Sequence, residues 1–450
     1  MKYDSAVSEE AFVDDPHWLR ATRWLLPLLA IAHLVFAHLY SIRTPYREGG
    51  ILLHQGRAEV PDIGAPDERQ HVNYVQRLVS GQGFPVFRPD DPELYESYQS
   101  HQPPLFYVLA AGWSRLLGID DLTSQASGRT LRLLNGILGA GLVFGVFFMG
   151  WWGFGRLSVA LTAAAVAALL PMNIALSGAV SNDPLLFLLC TWSLAICALG
   201  VRDGWTIRRA LALGILVGLA ALTKTTALGL FPIALFAMLW TKDRDWRLIA
   251  LGAGTALLLA LPWWIRNQML YGDPFAIRAF NQAFVGSPQA SSFLEVLGPW
   301  GYWTGFNELE LGVGWWTARS FFGVFGYMDI FLPGALYRVL IAAMLVAVLL
   351  WVLAVSRSDW REYQKVHWLY GLFLLIVLLL FVRFNLQYFQ AQARYLFPAI
   401  GVIAVGVGVA VAATVRSQWL IGFCAIMGLL VALNLYVLSI LPEEFARRTG

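Results

Sequence analysis

Long apolar segments recur along almost the whole of this 450-residue chain, and they constrain its fold more than any other feature. Runs with few or no ionisable residues lie at about 21–41, 130–152, 157–177, 184–201, 209–223, 225–240, 248–265, 335–355, 366–384, 395–415 and 418–440. Each run is close to the length of roughly 20 residues with which a helix crosses a bilayer. The pattern predicts an all-α fold, a polytopic bundle of about eleven transmembrane helices. The two runs that flank Lys224 are short, which predicts a tight hairpin of tilted or half-buried helices.

The composition agrees with lipid as the solvent. The chain is 58% hydrophobic and 14% charged, whereas a soluble domain is about half apolar and about a quarter charged. With a net charge of +3 and no basic run interleaved with aromatic residues, nucleic acid is not an expected partner. Cys190, Cys197 and Cys424 lie in apolar runs and form no disulfide framework or metal motif.

Lysine and arginine are distributed unequally between the short loops. Alternate loops carry Arg20, Arg23, Arg156, Arg202, Arg208, Arg209, Lys242, Arg244, Arg247, Arg357, Arg361, Lys365 and Arg416. The opposite loops hold only 181–183, Lys224, Arg383 and Arg394. Because basic loops stay in the cytoplasm, the N-terminus is expected inside and the C-terminus outside the plasma or inner membrane. Residues 1–20 are acidic, unlike a cleaved signal, so the first helix is expected to remain as an anchor.

This topology divides the chain into three parts, which are a cytoplasmic tail (1–20), a transmembrane domain (21–440) and a C-terminal tail (441–450). Two long outer segments result, at about 42–128 and 267–333. Segment 103–118 is apolar but short, and counting it as a span would invert every later helix. We therefore expect it to lie along the outer membrane interface.

Unusual polar residues gather on the predicted outer side, beginning with Asp67, Glu68 and His71. Pro66 and the acidic pair have the pattern of a helix start, where negative charge favours the helix dipole. Asp67 and His71 are four residues apart and would share one helix face. The pattern fits either a capping role or an acid and imidazole pair for proton abstraction or metal binding.

Three further polar residues lie near predicted outer helix ends. His101 precedes two prolines, which indicate either a structural turn or a histidine held near the lipid headgroups. Asp183 precedes Pro184 and suits either a helix cap or direct chemistry. Lys224 is the only charged residue between Arg209 and Lys242. Its side chain either extends to the lipid headgroups or has a functional role.

Arg266 ends one apolar run and Arg394 begins another, so each has the position of an interface anchor. Together with Lys224 they supply three cations from different helices on the side of the acidic cluster. This arrangement favours an anionic ligand such as a lipid phosphate.

Several short motifs follow one another in a characteristic order. They are Pro-Asp-Glu at 66–68 with His71, His-Gln-Pro-Pro-Leu at 101–105, Ser-Asn-Asp at 181–183, Leu-Thr-Lys at 222–224, Trp-Ile-Arg-Asn at 264–267, Ser-Phe-Phe-Gly-Val-Phe-Gly at 320–326 and Gln-Ala-Arg-Tyr-Leu-Phe-Pro at 392–398. From about 60 to 400 the chain resembles the polytopic C-fold (GT-C) glycosyltransferases. This superfamily includes protein O-mannosyltransferases and lipid A aminoarabinose transferases, and the resemblance is to bacterial members without a large C-terminal soluble domain.

The resemblance implies a sugar donor carried on polyprenyl phosphate, a lipid, glycan or protein acceptor, and an active site on the outer face. It implies Asp67 as the catalytic base of a direct inverting displacement and Glu68 as its acidic neighbour. The residues expected to bind the substrate or the donor phosphate are His71, His101, Asp183, Lys224, Arg266, Arg394 and Tyr395. Phe106 and Tyr107 stand where protein mannosyltransferases carry a lysine, which disfavours protein mannosylation specifically.

Several alternatives stay open at this point. A divalent metal ion could be held by Asp67, Glu68, His71 or His101, but their spacing does not establish a site. Segment 303–327 suits either an acceptor groove or interfacial packing; its candidate residues are Asn307, Glu308, Glu310, Trp315, Trp316 and Arg319. The competing functions are a lipid or glycan transporter, which predicts charges near the bilayer midplane, and a non-catalytic membrane assembly protein.

Overall fold

The computed structural model describes residues 16–241, 244–292, 296, 313–415 and 418–449, and helices dominate these residues. The α-helices are α1 (Pro16–Arg43), α2 (Glu68–Val79), α3 (Leu94–Ser97), α4 (Leu105–Leu116), α5 (Gln125–Phe154), α6 (Leu157–Leu169), α7 (Pro171–Ser177), α8 (Asp183–Asp203), α9 (Ile207–Ala221), α10 (Leu230–Leu239), α11 (Trp246–Tyr271), α12 (Ile277–Ala283), α13 (Val313–Phe322), α14 (Gly334–Val355), α15 (Gln364–Asn385), α16 (Ile400–Val415) and α17 (Trp419–Thr449). Short 3-10 helices lie at Tyr98–His101, Thr225–Gly229, Ser358–Tyr363 and Ala393–Ala399.

Two small antiparallel strand pairs complete the described structure. Strand β1 (Gly50–Leu52) pairs with β2 (Ala58–Val60), and Gly50 lies opposite Val60. Strand β3 (Val324–Phe325) pairs with β4 (Ile330–Phe331), and Val324 lies opposite Phe331. Both pairs belong to the long segments that connect spanning helices, so the predicted all-α architecture is confirmed.

Within the described residues, eight helices are long and apolar enough to cross a membrane. They are α1, α5, α8, α11, α14, α15, α16 and α17, some of them extended by a 3-10 turn. Helices α6 and α7 form a ninth candidate that is bent by 59°, because Pro171 forces Leu170 out of the helical conformation. Helices occupy all of the predicted apolar runs, but α9 and segment Thr225–Leu239, the pair that flanks Lys224, are too short to meet this criterion. The chain is a multi-pass membrane protein.

Small residues let the central helices of the bundle approach closely. A Cβ atom on Gly150 of α5 would lie 2.7 Å from the Cα atom of Ala160 in α6. A Cβ atom on Gly145 would lie 3.0 Å from both Thr191 and Trp192 of α8. In lipid, where apolar burial no longer drives association, such close packing holds helices together.

Helix α4 covers most of the ambiguous segment 103–118. Its 12 residues extend about 18 Å, which is too short to cross a bilayer. One face is buried against α2 and α5, while Val108, Leu109 and Leu116 are exposed. This two-faced character is what the predicted position along the membrane surface requires.

The end of α17 is tied to the second long connecting segment at Asp329, and through it to the first. The Arg448 guanidinium is buried and donates to the Asp329 carboxylate at 2.8 Å and to the Asp329 carbonyl at 2.7 Å. The same carboxylate accepts the backbone N–H groups of Leu53 and His54. Residues predicted as a C-terminal tail therefore continue α17 as far as Thr449, and they hold the β1–β2 hairpin in place.

Candidate active site

Asp67 directly precedes α2 in the left-handed backbone conformation, with φ 65° and ψ −1°. Aspartate tolerates this conformation better than most residues. Its carboxylate makes no capping bond to α2. One oxygen accepts a 2.5 Å hydrogen bond from the Tyr98 hydroxyl, and the other accepts one from the Arg394 guanidinium. The capping alternative is therefore not realised, and Asp67 turns towards residues distant in the chain.

The surroundings of Asp67 keep its carboxylate ionised. Burial alone would raise the pKa of Asp67, because the charged form is poorly solvated. The Arg394 charge, the Tyr98 hydrogen bond and the nearby His71 outweigh burial and lower the pKa to about 2. Asp67 is thus a partly buried anion at neutral pH, and an ionised carboxylate is able to accept a proton.

Glu68 is held in a different place from its neighbour. Arg132 donates to both carboxylate oxygens, at 2.8 and 2.6 Å, and the backbone N–H of Val180 donates a third hydrogen bond at 2.7 Å. Arg132 also donates to the carbonyl groups of Ser41, Thr44 and Pro45. This buried pair joins the ends of α1, α2, α5 and α7, so the geometry assigns Glu68 to the fold rather than to the substrate cavity.

A second ion pair lies beside the first. Lys224 donates to the Asp183 carboxylate at 2.6 Å, and its ammonium group lies 5.7 Å from the centre of the Tyr395 ring. Arg394 donates to the Tyr395 hydroxyl at 3.2 Å. Tyr395 therefore contacts both cations, and the pairs Asp67–Arg394 and Asp183–Lys224 form one charged cluster.

Two histidines adjoin this cluster in their neutral form. His71 Nδ1 lies 2.8 Å from the Tyr107 hydroxyl, and His101 Nδ1 lies 2.6 Å from the Tyr98 carbonyl. Burial lowers the pKa of His71 to about 3 and that of His101 to about 4. Because Nδ1 of each ring already has a partner, Nε2 is the atom that remains for a ligand.

The charged cluster opens into a cavity of about 800 Å³. The lining at its polar end includes Asp67, His71, His101, Lys224 and Tyr395. Apolar side chains continue the wall, among them Leu228, Val377, Leu380, Phe381 and Phe384. Aromatic residues of another wall include Phe280, Phe284, Tyr327 and Tyr388. A cavity with one charged end and a long apolar wall is suited to an amphipathic molecule with an anionic head.

Arg266 lies apart from this cavity and is not among the described residues that line it. Its guanidinium donates to the Pro85 carbonyl at 2.7 Å and lies 4.4 Å from the centre of the Trp263 ring. These contacts attach the first long segment to the end of α11. Glu68, Asp183 and Arg394 are also absent from the described lining, although Asp183 pairs with Lys224 and Arg394 pairs with Asp67, which both line the cavity.

Segment 303–327 contributes little to the cavity where the structure describes it. Trp316 is buried against Phe331, and Arg319 lies 5.4 Å from the centre of the Tyr337 ring. Tyr327 lines the cavity. The candidates outside the described residues are Asn307, Glu308 and Glu310. In the described part, packing accounts for Trp316 and Arg319.

The four residues considered for a metal ion do not form a three-ligand site. In the part of the chain that the structure describes, no group of three histidine, cysteine or acidic residues is placed to hold a metal. Both oxygens of Glu68 are taken by Arg132, and Asp67 is paired with Arg394. We therefore derive no step through a metal ion.

Two residues that contact Asp67 or Glu68 belong to none of the sequence motifs. Tyr98 contacts Asp67 from a 3-10 turn 31 positions away, and nothing in its neighbourhood distinguishes it from other tyrosines. Arg132 lies inside a predicted span, where a cation is costly unless it is paired. The presence of an arginine inside an apolar run is therefore the sequence feature that marks Arg132 as a paired residue.

Comparison with known proteins supports the family suggested by the motifs. The sequence profile of the family described as dolichyl-phosphate-mannose-protein mannosyltransferase matches residues 108–274. A comparison with curated protein sequences finds no match.

Solved structures resemble the chain over most of its length. ArnT from Cupriavidus metallidurans bound to undecaprenyl phosphate superposes with a TM-score of 0.55 at 16% identity, over 90% of this chain and 64% of ArnT. The Archaeoglobus fulgidus oligosaccharyltransferase, tethered to an acceptor peptide, gives 0.56 at 15% identity, over 94% of this chain and 55% of that protein. The chain thus spans less than two thirds of the length of either protein. The chain has the fold of the polytopic C-fold glycosyltransferases.

Proposed function

We propose that this protein is a membrane glycosyltransferase that moves a sugar from a polyprenyl-phosphate donor to an acceptor hydroxyl, with Asp67 as general base. The observation that carries the proposal is the position of Asp67 and Lys224 at the charged end of a long apolar cavity, with Arg394 paired to Asp67. The donor has the same two-part character, since a phosphate and sugar head is joined to an isoprenoid chain. ArnT, which shares the fold, has been solved with undecaprenyl phosphate bound.

The chemistry needs few protein groups. The acceptor oxygen attacks the anomeric carbon and its proton passes to the Asp67 carboxylate, while the bond from that carbon to the phosphate oxygen breaks. The bonding electrons leave with polyprenyl phosphate, whose charge Lys224 and Arg394 stabilise. Attack opposite the leaving group inverts the anomeric configuration.

Both cations are paired with carboxylates before the donor arrives. The donor phosphate must therefore compete with Asp67 for Arg394 and with Asp183 for Lys224. Partial withdrawal of Arg394 would weaken the charge that lowers the pKa of Asp67, and so make the carboxylate a stronger base. Donor binding and activation of the base are coupled in this scheme.

The distribution of charge favours catalysis at one membrane surface over transport. Asp67 and Lys224 line one end of the cavity and are paired there with Arg394 and Asp183, whereas a transporter is expected to carry its site near the bilayer midplane. Basic residues gather in the short loops at the opposite ends of the helices. We therefore place the active site on the outer face.

The test is sugar transfer by the purified protein in detergent, with a panel of polyprenyl-phosphate sugars and an envelope extract as acceptor. Asp67→Asn should lose at least about 100-fold in rate, since general base catalysis contributes 10²–10⁴. Asparagine accepts the left-handed backbone, so the variant should fold. Asp62→Asn is the matched control, because Asp62 pairs with Arg69 in the same segment and is not among the described cavity residues.

Loss of transfer in Asp67→Asn with activity kept in Asp62→Asn would support the assignment. Equal rates in wild type and Asp67→Asn would refute Asp67 as the base. Failure of the wild type to use any donor would count against the proposed activity itself.

A further inference from the structure

Arg383 occupies the boundary between the cavity and the lipid-facing side of α15. Its neighbours Leu380 and Phe384 line the cavity, as Arg383 itself does. Leu379 and Leu386, four residues before it and three after, are 52% and 39% exposed. Because residues three or four apart share a helix face, Arg383 lies where the cavity wall meets the apolar surface.

The opposite side of this opening is formed by the turn that follows Lys224. A Cβ atom on Gly229 would lie 2.9 Å from Ile376 and 3.4 Å from Leu380, so the 3-10 helix Thr225–Gly229 packs directly on α15. Lys224 precedes that contact and Arg383 follows it along its own helix. Lys224 and Arg383 both line the cavity.

Arg383 differs from the paired cations of the active site. Its side chain is exposed, and no described residue forms an ion pair with it. It is therefore available to an anion without first displacing a carboxylate. Arg338 offers a comparison, because it is also exposed, lies near the same end of the bundle in the first turns of α14, and is not among the described cavity residues.

We propose that Arg383 is a donor-loading residue, which binds the phosphate of polyprenyl phosphate as the lipid moves from the bilayer into the cavity. The inference rests on the proposed function and assigns to it an entry point. The isoprenoid chain would follow the apolar wall of Val377, Leu380 and Phe381, while the phosphate passes from Arg383 to Lys224 and Arg394. Arg383 is a positioning residue, since the reacting atoms meet at Asp67.

The first experiment measures transfer by wild type, Arg383→Gln, Arg383→Lys and Arg338→Gln. Arg383→Gln should raise KM for the donor about tenfold, the effect of one charge-assisted hydrogen bond, and leave kcat within about twofold. Arg383→Lys should recover most of the loss, because it keeps the charge. Arg338→Gln should match the wild type. Unchanged donor KM in Arg383→Gln, or an equal rise in Arg338→Gln, would overturn the inference.

The second experiment measures binding of sugar-free polyprenyl phosphate by the same variants, and it does not depend on transfer. Weaker binding by Arg383→Gln alone would support the loading role even if no donor sugar were found, so it separates this inference from the proposed activity. Excess phosphatidylglycerol distinguishes two sources of phosphate. If that phospholipid abolishes the difference between wild type and Arg383→Gln, Arg383 is an ordinary headgroup anchor and the proposal fails.

Discussion

Asp67 and Glu68 are consecutive residues whose carboxylates contact different arginines. Asp67 pairs with Arg394 at the cavity, and Glu68 pairs with Arg132 inside the bundle. The left-handed backbone of Asp67 turns its side chain away from the start of α2, whereas Glu68 follows the helix. One acidic dipeptide therefore serves both the substrate cavity and the packing of the helices around it.

Glu68→Gln is expected to destabilise the protein. It would leave the Arg132 guanidinium, which is 1% exposed, without its counter-charge. Removing one partner of a buried ion pair costs about 3–5 kcal/mol. Thermal unfolding in detergent should show a marked drop in Tm, and replacement of Arg132 by Met in the same protein should restore part of it. A variant as stable as the wild type would show that this pair does not support the fold.

Arg394→Gln is expected to change the pH dependence of transfer. Burial raises the pKa of Asp67 and Arg394 is the largest influence that lowers it, so removing Arg394 should raise that pKa from about 2. The ionised base is then lost as the pH falls through the new value, and the acid limb of kcat moves upward. Arg394→Lys keeps the charge and should retain the wild-type limb. An acid limb at the same pH in all three proteins would contradict the role of Arg394.

Stability should fall as the pH decreases below about 6.5, in part because of His71. The unfolded chain binds a proton near the ordinary pKa of 6.5, whereas burial lowers the folded pKa of His71 to about 3. The unfolded state therefore binds more protons between these values, which costs the folded state up to about 1.4 kcal/mol per pH unit. Tm measured from pH 7 to pH 5 should fall less steeply in His71→Gln. Parallel slopes would exclude His71 as a contributor.

The pair Asp183–Lys224 allows support of the fold to be separated from binding of the donor. Lys224→Gln leaves a buried carboxylate unpaired and should lower both Tm and transfer. In Lys224→Gln/Asp183→Asn the unpaired charge is gone, so Tm should recover while transfer stays low. Recovery of both would show that Lys224 acts only as the partner of Asp183. Unfolding and donor KM, measured on the same preparations, distinguish these results.

Helix positions were predictable because apolar run length is a direct consequence of bilayer thickness. The limits of this reasoning appear at Leu170–Pro171, where a continuous apolar run is bent into two helices. The length of an apolar run also does not distinguish α9 from a full span. An apolar run shows only composition, whereas α9 ends at Ala221 and the backbone of Lys224 is already extended.

Predictions for individual side chains depended on contacts distant in the chain. Asp67, Lys224 and Tyr395 do lie together, because the motifs that contain them are at the same ends of neighbouring helices. The sequence associates Arg266 with these residues only through its charge and its predicted side of the membrane. Neither property determines where in the plane of the membrane a residue lies within a helix bundle. Its contact with Pro85 therefore could not be foreseen.

The bond between Asp67 and Arg394 joins residues 327 positions apart, and it has a consequence for biosynthesis. Chains are made and inserted from the N-terminus, so Asp67 is present long before its cationic partner. Until α15 and the turn that carries Arg394 have been synthesised, the Asp67 carboxylate lacks its counter-ion. The Asp329 carboxylate, which accepts hydrogen bonds from the β1–β2 hairpin, gains its partner Arg448 later still. The proposed catalytic centre is therefore among the last parts of the protein to mature, and we expect a chain interrupted before Arg394 to be inactive.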